Sequence, residues 1–190
     1  MLLSPYLQAD SKILIFGDSL SAGYGLQQGE SWVDLLSAQL QKAQLSYEIV
    51  NASISGDTTA NGLQRLPHSL KQNKPDIVIL ELGANDGLRG FSMKNMKKNL
   101  EDMIKLCRKY NSKVLLVGMQ LPPNYGAFYI KQFNNIYKDL AKEKNIPLLP
   151  FLFAGFEKDF NYFQADKIHP NAKAQNQILQ NVWQALEPLL

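Results

Sequence analysis

Short, nearly continuous apolar segments recur along this chain, and they constrain its fold more than any other feature of the sequence. The two clearest are Ile77-Val78-Ile79-Leu80 and Val114-Leu115-Leu116-Val117. A strand that is covered on both faces has this pattern, whereas a strand with one face in water alternates apolar and polar residues. The pattern predicts strands over residues 12–16, 47–50, 76–82, 113–118 and 147–151.

Segments with helical spacing of apolar residues lie between these strands. The predicted helices cover residues 31–43, 59–72, 92–110, 129–144 and about 171–186. Strands that alternate with helices pair in parallel through right-handed crossovers. We therefore predict one α/β domain over residues 1–190, with residues 1–11 as an N-terminal extension. Its simplest form is a three-layer α/β/α sandwich with a five-stranded parallel sheet in the flavodoxin-like order 2-1-3-4-5.

The composition is that of a globular protein, and it argues against several functions. Hydrophobic residues make up 45% of the chain and charged residues 19%, which argues against extensive disorder. The formal net charge is only +3 and the lysines are scattered, so we predict no nucleic-acid partner. We also expect a monomer. No apolar run approaches the roughly 20 residues that span a bilayer.

Two further features concern the compartment of the protein. Cys107 is the lone cysteine, so no internal disulfide can form, and we expect it to be a small buried residue of a helix. Residues 1–10 lack the basic and apolar regions of a signal peptide. The compartment therefore stays open at this point.

Ser19 and His169 follow the first and fifth predicted strands and are a candidate nucleophile and base. Ser19 comes directly after Gly17-Asp18, and Asp166 precedes His169 by three residues. A serine hydroxyl is a poor nucleophile until a base takes its proton, and the base works best when a third group orients it. Alone, Ser19 would be interpreted as a helix cap and Asp166 as a turn residue. Because the loops after parallel strands meet at one edge of a sheet, their joint placement predicts a serine hydrolase.

Gly56 and Asn85 are candidate donors for the negative oxygen that develops when an acyl bond is attacked. Gly56 follows the second strand and offers a backbone N–H that no side chain shields, and Asn85 follows the third strand and offers an amide. Each has an ordinary alternative as a turn residue. The other histidine, His68, has no acid at a supportive spacing and is predicted to face solvent. We expect no metal site and no cofactor.

Asp18 and Asp86 lie next to the candidate nucleophile and the candidate amide donor. An inward-facing carboxylate beside a serine would oppose loss of the hydroxyl proton. We therefore expect both residues to hold loop backbone through hydrogen bonds rather than to act as bases.

The blocks Gly17-Asp18-Ser19-Leu20, Gly56, Gly83-Ala84-Asn85-Asp86 and Asp166-Lys167-Ile168-His169 resemble, in order, those of the SGNH (GDSL) hydrolase family. The resemblance covers nearly the whole chain and is greatest to the bacterial multifunctional thioesterase/protease/lysophospholipase group. It implies Ser19 as nucleophile, His169 as base and Asp166 as the orienting carboxylate. It also implies an oxyanion hole made by the Ser19 N–H, the Gly56 N–H and the Asn85 side chain. Ala84 stands where relatives often carry a second glycine, which removes no donor.

The resemblance further implies fatty acyl thioesters such as acyl-CoA, lysophospholipids and small aryl esters as substrates, and a periplasmic location. Two loops near the strand ends carry apolar residues that we predict to bind the acyl chain. These residues are Leu88, Phe91, Leu121, Pro122, Tyr125 and Phe128. The alternative is that they are residues at the edge of the core.

Two other functions fit parts of the sequence. A carbohydrate O-acetylesterase would use the same catalytic residues, but the apolar loops favour longer acyl chains. A non-catalytic receiver-like signalling domain would use Asp18, a phosphoacceptor Asp86 and Lys167. That interpretation lacks the second acid after the first strand, and it leaves His169, Gly56 and Asn85 without a role.

Overall fold

The computed structural model describes residues 11–190, and its centre is a five-stranded parallel sheet. The strands are β1 Ser11–Gly17, β2 Tyr47–Asn51, β3 Ile77–Glu81, β4 Lys113–Val117 and β5 Leu148–Leu149. Their order is β2-β1-β3-β4-β5 and every pairing is parallel, so the predicted topology is confirmed. The predicted extension over residues 1–11 lies outside the described residues, apart from Ser11, which begins β1.

Burial explains why the apolar runs form the strands. All five residues of β3 are buried, as are the last four residues of β4, because helices cover both faces of the sheet. The edge strand β2 is only partly buried, as its more mixed sequence predicts. β5 pairs over two residues, where five were predicted. Pro147 and Pro150 flank it, and a proline has no N–H to donate to the neighbouring strand.

Five long helices connect and cover the strands. They are α2 Trp32–Lys42, α3 Thr59–Asn73, α5 Met93–Lys109, α6 Ala127–Lys144 and α7 Gln175–Leu186. Ser31, Thr58 and Ser92 cap α2, α3 and α5 by accepting backbone N–H bonds. The last predicted helix begins as a 3-10 turn, Ala172–Ala174, before α7. Two short helices were not predicted: α1 Ser19–Ala22 after β1 and α4 Ala84–Leu88 after β3.

The helices form two layers, which completes the predicted sandwich. α2 packs on α7, while α5 packs on both α3 and α6. The apolar stripe of α7 is fully buried as predicted, and so is Cys107 on α5. The segments that follow β1, β2, β3 and β5, including the short helices α1 and α4, carry every predicted catalytic and oxyanion residue. The edge of the sheet from which they leave is called the carboxyl edge below.

Candidate active site

Ser19 is the first residue of α1, at the point where β1 ends and the chain turns sharply into a helix. Asp18 caps this helix, because its Oδ1 accepts the N–H of Leu20 at 3.0 Å. The turn presents the Ser19 hydroxyl at the carboxyl edge, where its Oγ lies 2.9 Å from Nε2 of His169. The strand end was predicted from the sequence. The short helix was not, since four residues show no helical period.

His169 lies between Ser19 and Asp166. Its Nδ1 is 2.6 Å from Oδ2 of Asp166. Partial burial of Asp166 acts to raise its pKa, but hydrogen bonds from the His169 backbone and ring outweigh burial and lower the pKa overall. The ionised carboxylate fixes a proton on Nδ1, which leaves Nε2 free to accept the Ser19 proton.

Asp166 also shapes the loop that carries the histidine. Its Oδ1 accepts the backbone N–H groups of Ile168 at 2.9 Å and of His169 at 3.0 Å. At the base of the loop, Phe163 and Pro170 form an antiparallel bridge, and the Gln164 N–H donates to the His169 carbonyl at 2.8 Å. The base and its orienting acid are therefore fixed by one short hairpin.

Two residues that the sequence analysis missed join this hairpin to the loop after β1. The Gln164 side chain donates to the Tyr24 carbonyl at 2.8 Å and to the Pro170 carbonyl at 3.1 Å. The Tyr24 ring packs on the His169 ring with centroids 4.5 Å apart. Neither residue carries a sequence signal, because the contacts join positions about 140 residues apart.

Gly56 and Asn85 both lie at the carboxyl edge, as predicted. Gly56 has φ of 82°, a left-handed conformation that favours glycine, and its N–H donates to no acceptor among residues 11–190. The Asn85 Nδ2 donates one hydrogen bond, to Oδ2 of Asp18 at 3.0 Å, which leaves its second N–H unused within the described chain. The Ser19 N–H is at the first position of α1, where a helix offers no acceptor.

Two carboxyl groups are buried directly behind this site. Asp18 is 1% exposed, and burial raises its pKa from 3.8 to about 6 against hydrogen bonds that lower it. Glu81 at the end of β3 is fully buried, and burial, with the nearby charge of Asp18, raises its pKa well above the ordinary value. Its Oε2 accepts the Ser21 hydroxyl at 2.8 Å and the Asp18 N–H at 3.4 Å. Gly17 makes room, since a Cβ there would lie 2.6 Å from Oε2 of Glu81.

Asp86 holds the first residue of helix α3 through hydrogen bonds, where hydrogen bonds to loop backbone were predicted. It is 3% exposed, and its two oxygens accept the Thr59 N–H at 2.8 Å and the Thr59 hydroxyl at 2.6 Å. Asp18 likewise caps α1, but it also binds the Asn85 side chain, which was not predicted. A phosphoacceptor must be accessible, so the burial of Asp86 argues against a receiver domain.

Arg65 on α3 braces the loops after β1 and β2, a role that the sequence analysis missed. Its Nε pairs with Oδ2 of Asp57 at 2.5 Å, and its Nη1 and Nη2 donate to the carbonyls of Ala52 and Gly17. The guanidinium also lies 3.8 Å from the centroid of the Phe16 ring. His68, one turn further along, is exposed as predicted. The sequence feature that could have indicated this role is the position of Arg65, a charged residue next to the buried apolar stripe of α3.

The six residues predicted to contact the acyl chain differ in their exposure to solvent. Phe91 and Phe128 are exposed, by 49% and 77%. Leu121 is buried and lies where a Cβ on Gly87 would meet it at 2.7 Å. Tyr125 donates to the Leu88 carbonyl at 3.0 Å, which joins the two loops; both residues are half-buried, whereas Pro122 is exposed. The loops thus form a single surface with apolar side chains open to solvent.

Within residues 11–190, no group of three or more His, Cys, Asp or Glu side chains is arranged to hold a metal ion. Over the same residues, no helix is both long and apolar enough to cross a membrane.

Comparison with known proteins agrees with the geometry. Residues 15–176 match the family model described as GDSL-like lipase/acylhydrolase. Esterase TesA of Pseudomonas aeruginosa is 46% identical over 96% of this chain and 90% of its own length. Thioesterase 1/protease 1/lysophospholipase L1 of Escherichia coli K12 is 43% identical over 100% of this chain and 90% of its own. A crystal structure of TesA covers 95% of this chain and 100% of the TesA chain, with a TM-score of 0.93 and 46% identity.

Proposed function

The chain belongs to the GDSL-like lipase/acylhydrolase family, and we propose that it transfers acyl groups from esters and thioesters to water through a covalent acyl-enzyme on Ser19. The observation that carries the proposal is the contact of 2.9 Å between Ser19 Oγ and His169 Nε2. The opposite ring nitrogen of His169 is held by Asp166 at 2.6 Å. An activated nucleophile needs this arrangement.

In the first step, Ser19 Oγ attacks the carbonyl carbon and its proton passes to His169 Nε2. The imidazolium that forms is stabilised by the Asp166 carboxylate, which stays ionised because its pKa is lowered. The bond to the leaving group then breaks, and the leaving alcohol or thiol takes the proton from Nε2. The product of this step is an acyl ester of Ser19.

The developing oxyanion is stabilised by three donors: the Ser19 N–H, the Gly56 N–H and the free N–H of Asn85. All three hydrogens are unused within the described chain. Such a donor typically contributes about 3 kcal/mol, because it is oriented before the charge develops. In the second step, water attacks the acyl carbon and passes a proton to His169 Nε2, the bond to Ser19 Oγ breaks, and Oγ takes that proton as the acid is released. These steps use only side chains and backbone of the chain and call for no cofactor.

The acyl chain lies along the surface made by the loops 87–91 and 121–128. The contacts we propose are Leu88, Phe91, Leu121, Pro122, Tyr125 and Phe128. Phe91 and Phe128 support this surface most strongly, because each leaves about half or more of its side chain in water in the free protein. The names of the two relatives suggest esters, thioesters and lysophospholipids as substrates, and the family resemblance adds fatty acyl chains and small aryl esters.

The proposal also covers the domain organisation, oligomeric state, partners and location of the enzyme. We propose one domain, a monomer, no nucleic-acid partner and a periplasmic location, the last on the family resemblance alone. Light scattering at increasing concentration tests the monomer, and a constant mass near 21 kDa is expected. Osmotic-shock release from a Gram-negative host that expresses the natural gene tests the location, and retention with a cytoplasmic marker enzyme contradicts it.

The decisive experiment is the hydrolysis of p-nitrophenyl esters of increasing chain length and of an acyl-CoA. Ser19→Ala and His169→Ala are each expected to lower kcat at least about 10⁴-fold with unchanged folding by circular dichroism. The chain's other histidine provides the matched control, since His68→Ala lies on an exposed helix face and is expected to keep kcat within about twofold. Retained activity in Ser19→Ala contradicts the acyl-enzyme. A preference for acetyl over longer esters contradicts the acyl surface.

A further inference from the structure

Arg89 lies directly against the loop that carries Gly56. It ends the short helix α4, its side chain is exposed, and its Nη2 donates to the Gly56 carbonyl at 3.1 Å. A Cβ on Gly56 would lie 3.6 Å from the same nitrogen. A positive charge is therefore fixed beside one of the proposed oxyanion donors.

The backbone that carries this arginine is held on two sides. Tyr125 and Tyr129 donate their hydroxyls to the carbonyls of Leu88 and Gly87, each at 3.0 Å. The Phe91 N–H donates to the Asp86 carbonyl at 2.9 Å, which closes the turn after Arg89. Because its backbone and its tip are both anchored, the guanidinium loses less conformational freedom on binding a ligand than a surface arginine usually does.

The charge of Arg89 has no counter-ion in the described chain. Of the three arginines, Arg65 pairs with Asp57, whereas Arg89 makes no ion pair with any residue from 11 to 190. One of its five N–H donors is used, by the Gly56 carbonyl. The remaining donors form a planar fork, a geometry that matches the oxygens of a phosphate.

The sheet order indicates which part of a substrate meets Arg89. The loops after β2 and after β4 lie on opposite sides of β1, the strand that ends at Ser19. With the acyl chain along the β4 side, the leaving group extends towards the β2 side. Arg89 points to that side, since it reaches Gly56 in the loop after β2.

We propose that Arg89 forms a binding subsite for a phosphate on the leaving group. This inference rests on the proposed function: lysophospholipids and acyl thioesters are already among the substrates proposed there, and the new element is the residue that recognises a phosphate on the leaving group. A nucleotide-bearing thiol and a glycerophosphate headgroup present the same anionic oxygens. The two sources are separated by the choice of substrates.

The test compares pairs of substrates with the same acyl chain and the same scissile bond. One pair is an acyl-CoA and the corresponding acyl-N-acetylcysteamine, which lacks phosphate. The other pair is a lysophospholipid and the corresponding monoacylglycerol, both below their aggregation concentrations. For Arg89→Gln, the ratio of kcat/KM on the phosphorylated to the neutral substrate is expected to fall about 10-fold in at least one pair. The pair that responds identifies the source of the phosphate.

Matched variants and salt separate this subsite from other effects of the substitution. Arg108→Gln removes the same charge from an arginine that also binds a single carbonyl, that of Lys144 on another part of the surface, and it is expected to leave the ratio unchanged. Arg89→Lys keeps the charge but lacks the planar fork of N–H donors. Its ratio of kcat/KM on the phosphorylated to the neutral substrate is expected to lie between those of the wild type and Arg89→Gln. The effect of Arg89→Gln is expected to shrink between about 20 and 500 mM NaCl, because salt screens an exposed charge.

Three results overturn the subsite: an unchanged ratio in both pairs, an equal loss on all four substrates, or the same change in ratio for Arg108→Gln. A binding measurement keeps this outcome apart from failure of the proposed function. Calorimetry with coenzyme A and with pantetheine needs no turnover, and Arg89→Gln is expected to weaken only the binding of coenzyme A. If none of the substrates is hydrolysed but coenzyme A binding depends on Arg89, the proposed function fails and the subsite stands.

Discussion

Asn85 donates a hydrogen bond from its Nδ2 to Oδ2 of Asp18 over 3.0 Å, so a carboxylate next to Ser19 orients the amide proposed for the oxyanion hole. The other oxygen of Asp18 accepts the N–H of Leu20 and caps α1. One buried side chain therefore fixes both the turn that carries Ser19 and the direction of the Asn85 amide. The two halves of the proposed site are coupled through it.

We expect Asp18→Asn to lower kcat about 10-fold or more while KM changes less than about threefold. The introduced amide has one oxygen to accept the Leu20 N–H, and its NH2 group then faces the NH2 group of Asn85, which turns that donor away. Kinetics on p-nitrophenyl butyrate measure the effect. Asp76→Asn is the control, because Asp76 also accepts a backbone N–H, at 2.8 Å from Lys12, but at the opposite edge of the sheet. Equal kcat values for Asp18→Asn and the wild type contradict the coupling.

Asn85→Ala is expected to lower kcat about 100- to 1,000-fold, because it deletes one preorganised oxyanion donor. If Asp18 acts on catalysis through Asn85, the double variant Asp18→Asn/Asn85→Ala loses little more than Asn85→Ala alone. The two effects are then non-additive. Pre-steady-state kinetics on the same ester give the acylation rate of each variant. Fully additive losses indicate that Asp18 acts independently of the amide.

Asp166→Asn tests the orienting role of the carboxylate. The amide can still accept the backbone N–H groups of Ile168 and His169 through its oxygen, so the loop is expected to keep its shape. Its NH2 group then faces Nδ1 of His169 and favours the tautomer with the proton on Nε2, which cannot accept the Ser19 proton. We expect kcat to fall roughly 10⁴-fold with little change in KM. A loss below 10-fold contradicts the role, provided that circular dichroism shows a folded variant.

The sheet and the positions of the catalytic residues were predictable because runs of neighbouring residues in the sequence mark each strand and its end. The buried positions of β3 and β4 are apolar except for Glu81, which ends β3, and a glycine or a polar residue marks where each strand ends. The order of the strands follows from general rules of parallel sheets. Ser19, Gly56, Asn85 and His169 were then assigned to one edge by topology alone, without any contact being known.

The residues that support the site were not predictable, because their partners are distant in sequence. Glu81 meets Ser21 across 60 positions, and Gln164 meets the Tyr24 carbonyl across 140. A sequence gives the type of such a residue but not what it touches. The helices α1 and α4 were missed for a different reason: with four and five residues they are too short to show a period of 3.6. α1 is stabilised by its Asp18 cap, a contact that a run of four residues does not reveal.

Glu81→Gln is expected to reduce the dependence of stability on pH. Burial raises the pKa of Glu81 well above 4.5 and that of Asp18 from 3.8 to about 6. The folded state therefore keeps protons that the unfolded chain has lost. The unfolding free energy of the wild type should fall as pH rises, from 3.8 for Asp18 and from 4.5 for Glu81, by at most about 1.4 kcal/mol per pH unit for each group.

The introduced glutamine accepts the Ser21 hydroxyl through its amide oxygen and does not titrate, so the part of the pH dependence of stability that comes from Glu81 disappears. The part that comes from Asp18 remains, and it ends near pH 6. Urea unfolding at intervals between pH 5 and pH 9 measures both curves. The matched control is Glu143→Gln, at an exposed pair with Lys97, and its curve should run parallel to that of the wild type. A curve for Glu81→Gln as steep as that of the wild type above pH 6 shows that Glu81 does not hold its proton in the fold.

Arg65→Lys is expected to lower the unfolding free energy by about 2–4 kcal/mol, although it keeps the charge. The guanidinium serves three acceptors from one plane, namely the Asp57 carboxylate and the carbonyls of Ala52 and Gly17, and an ammonium cannot reach all of them. The unserved carbonyls belong to the loops that carry Ser19 and Gly56, so kcat should fall as well. Arg108→Lys is the control, since that side chain serves a single exposed carbonyl and should cost under about 0.5 kcal/mol. Urea unfolding and ester hydrolysis on the same preparations measure both effects. Equal stabilities for the two variants indicate that the three bonds of Arg65 do not hold the loops together.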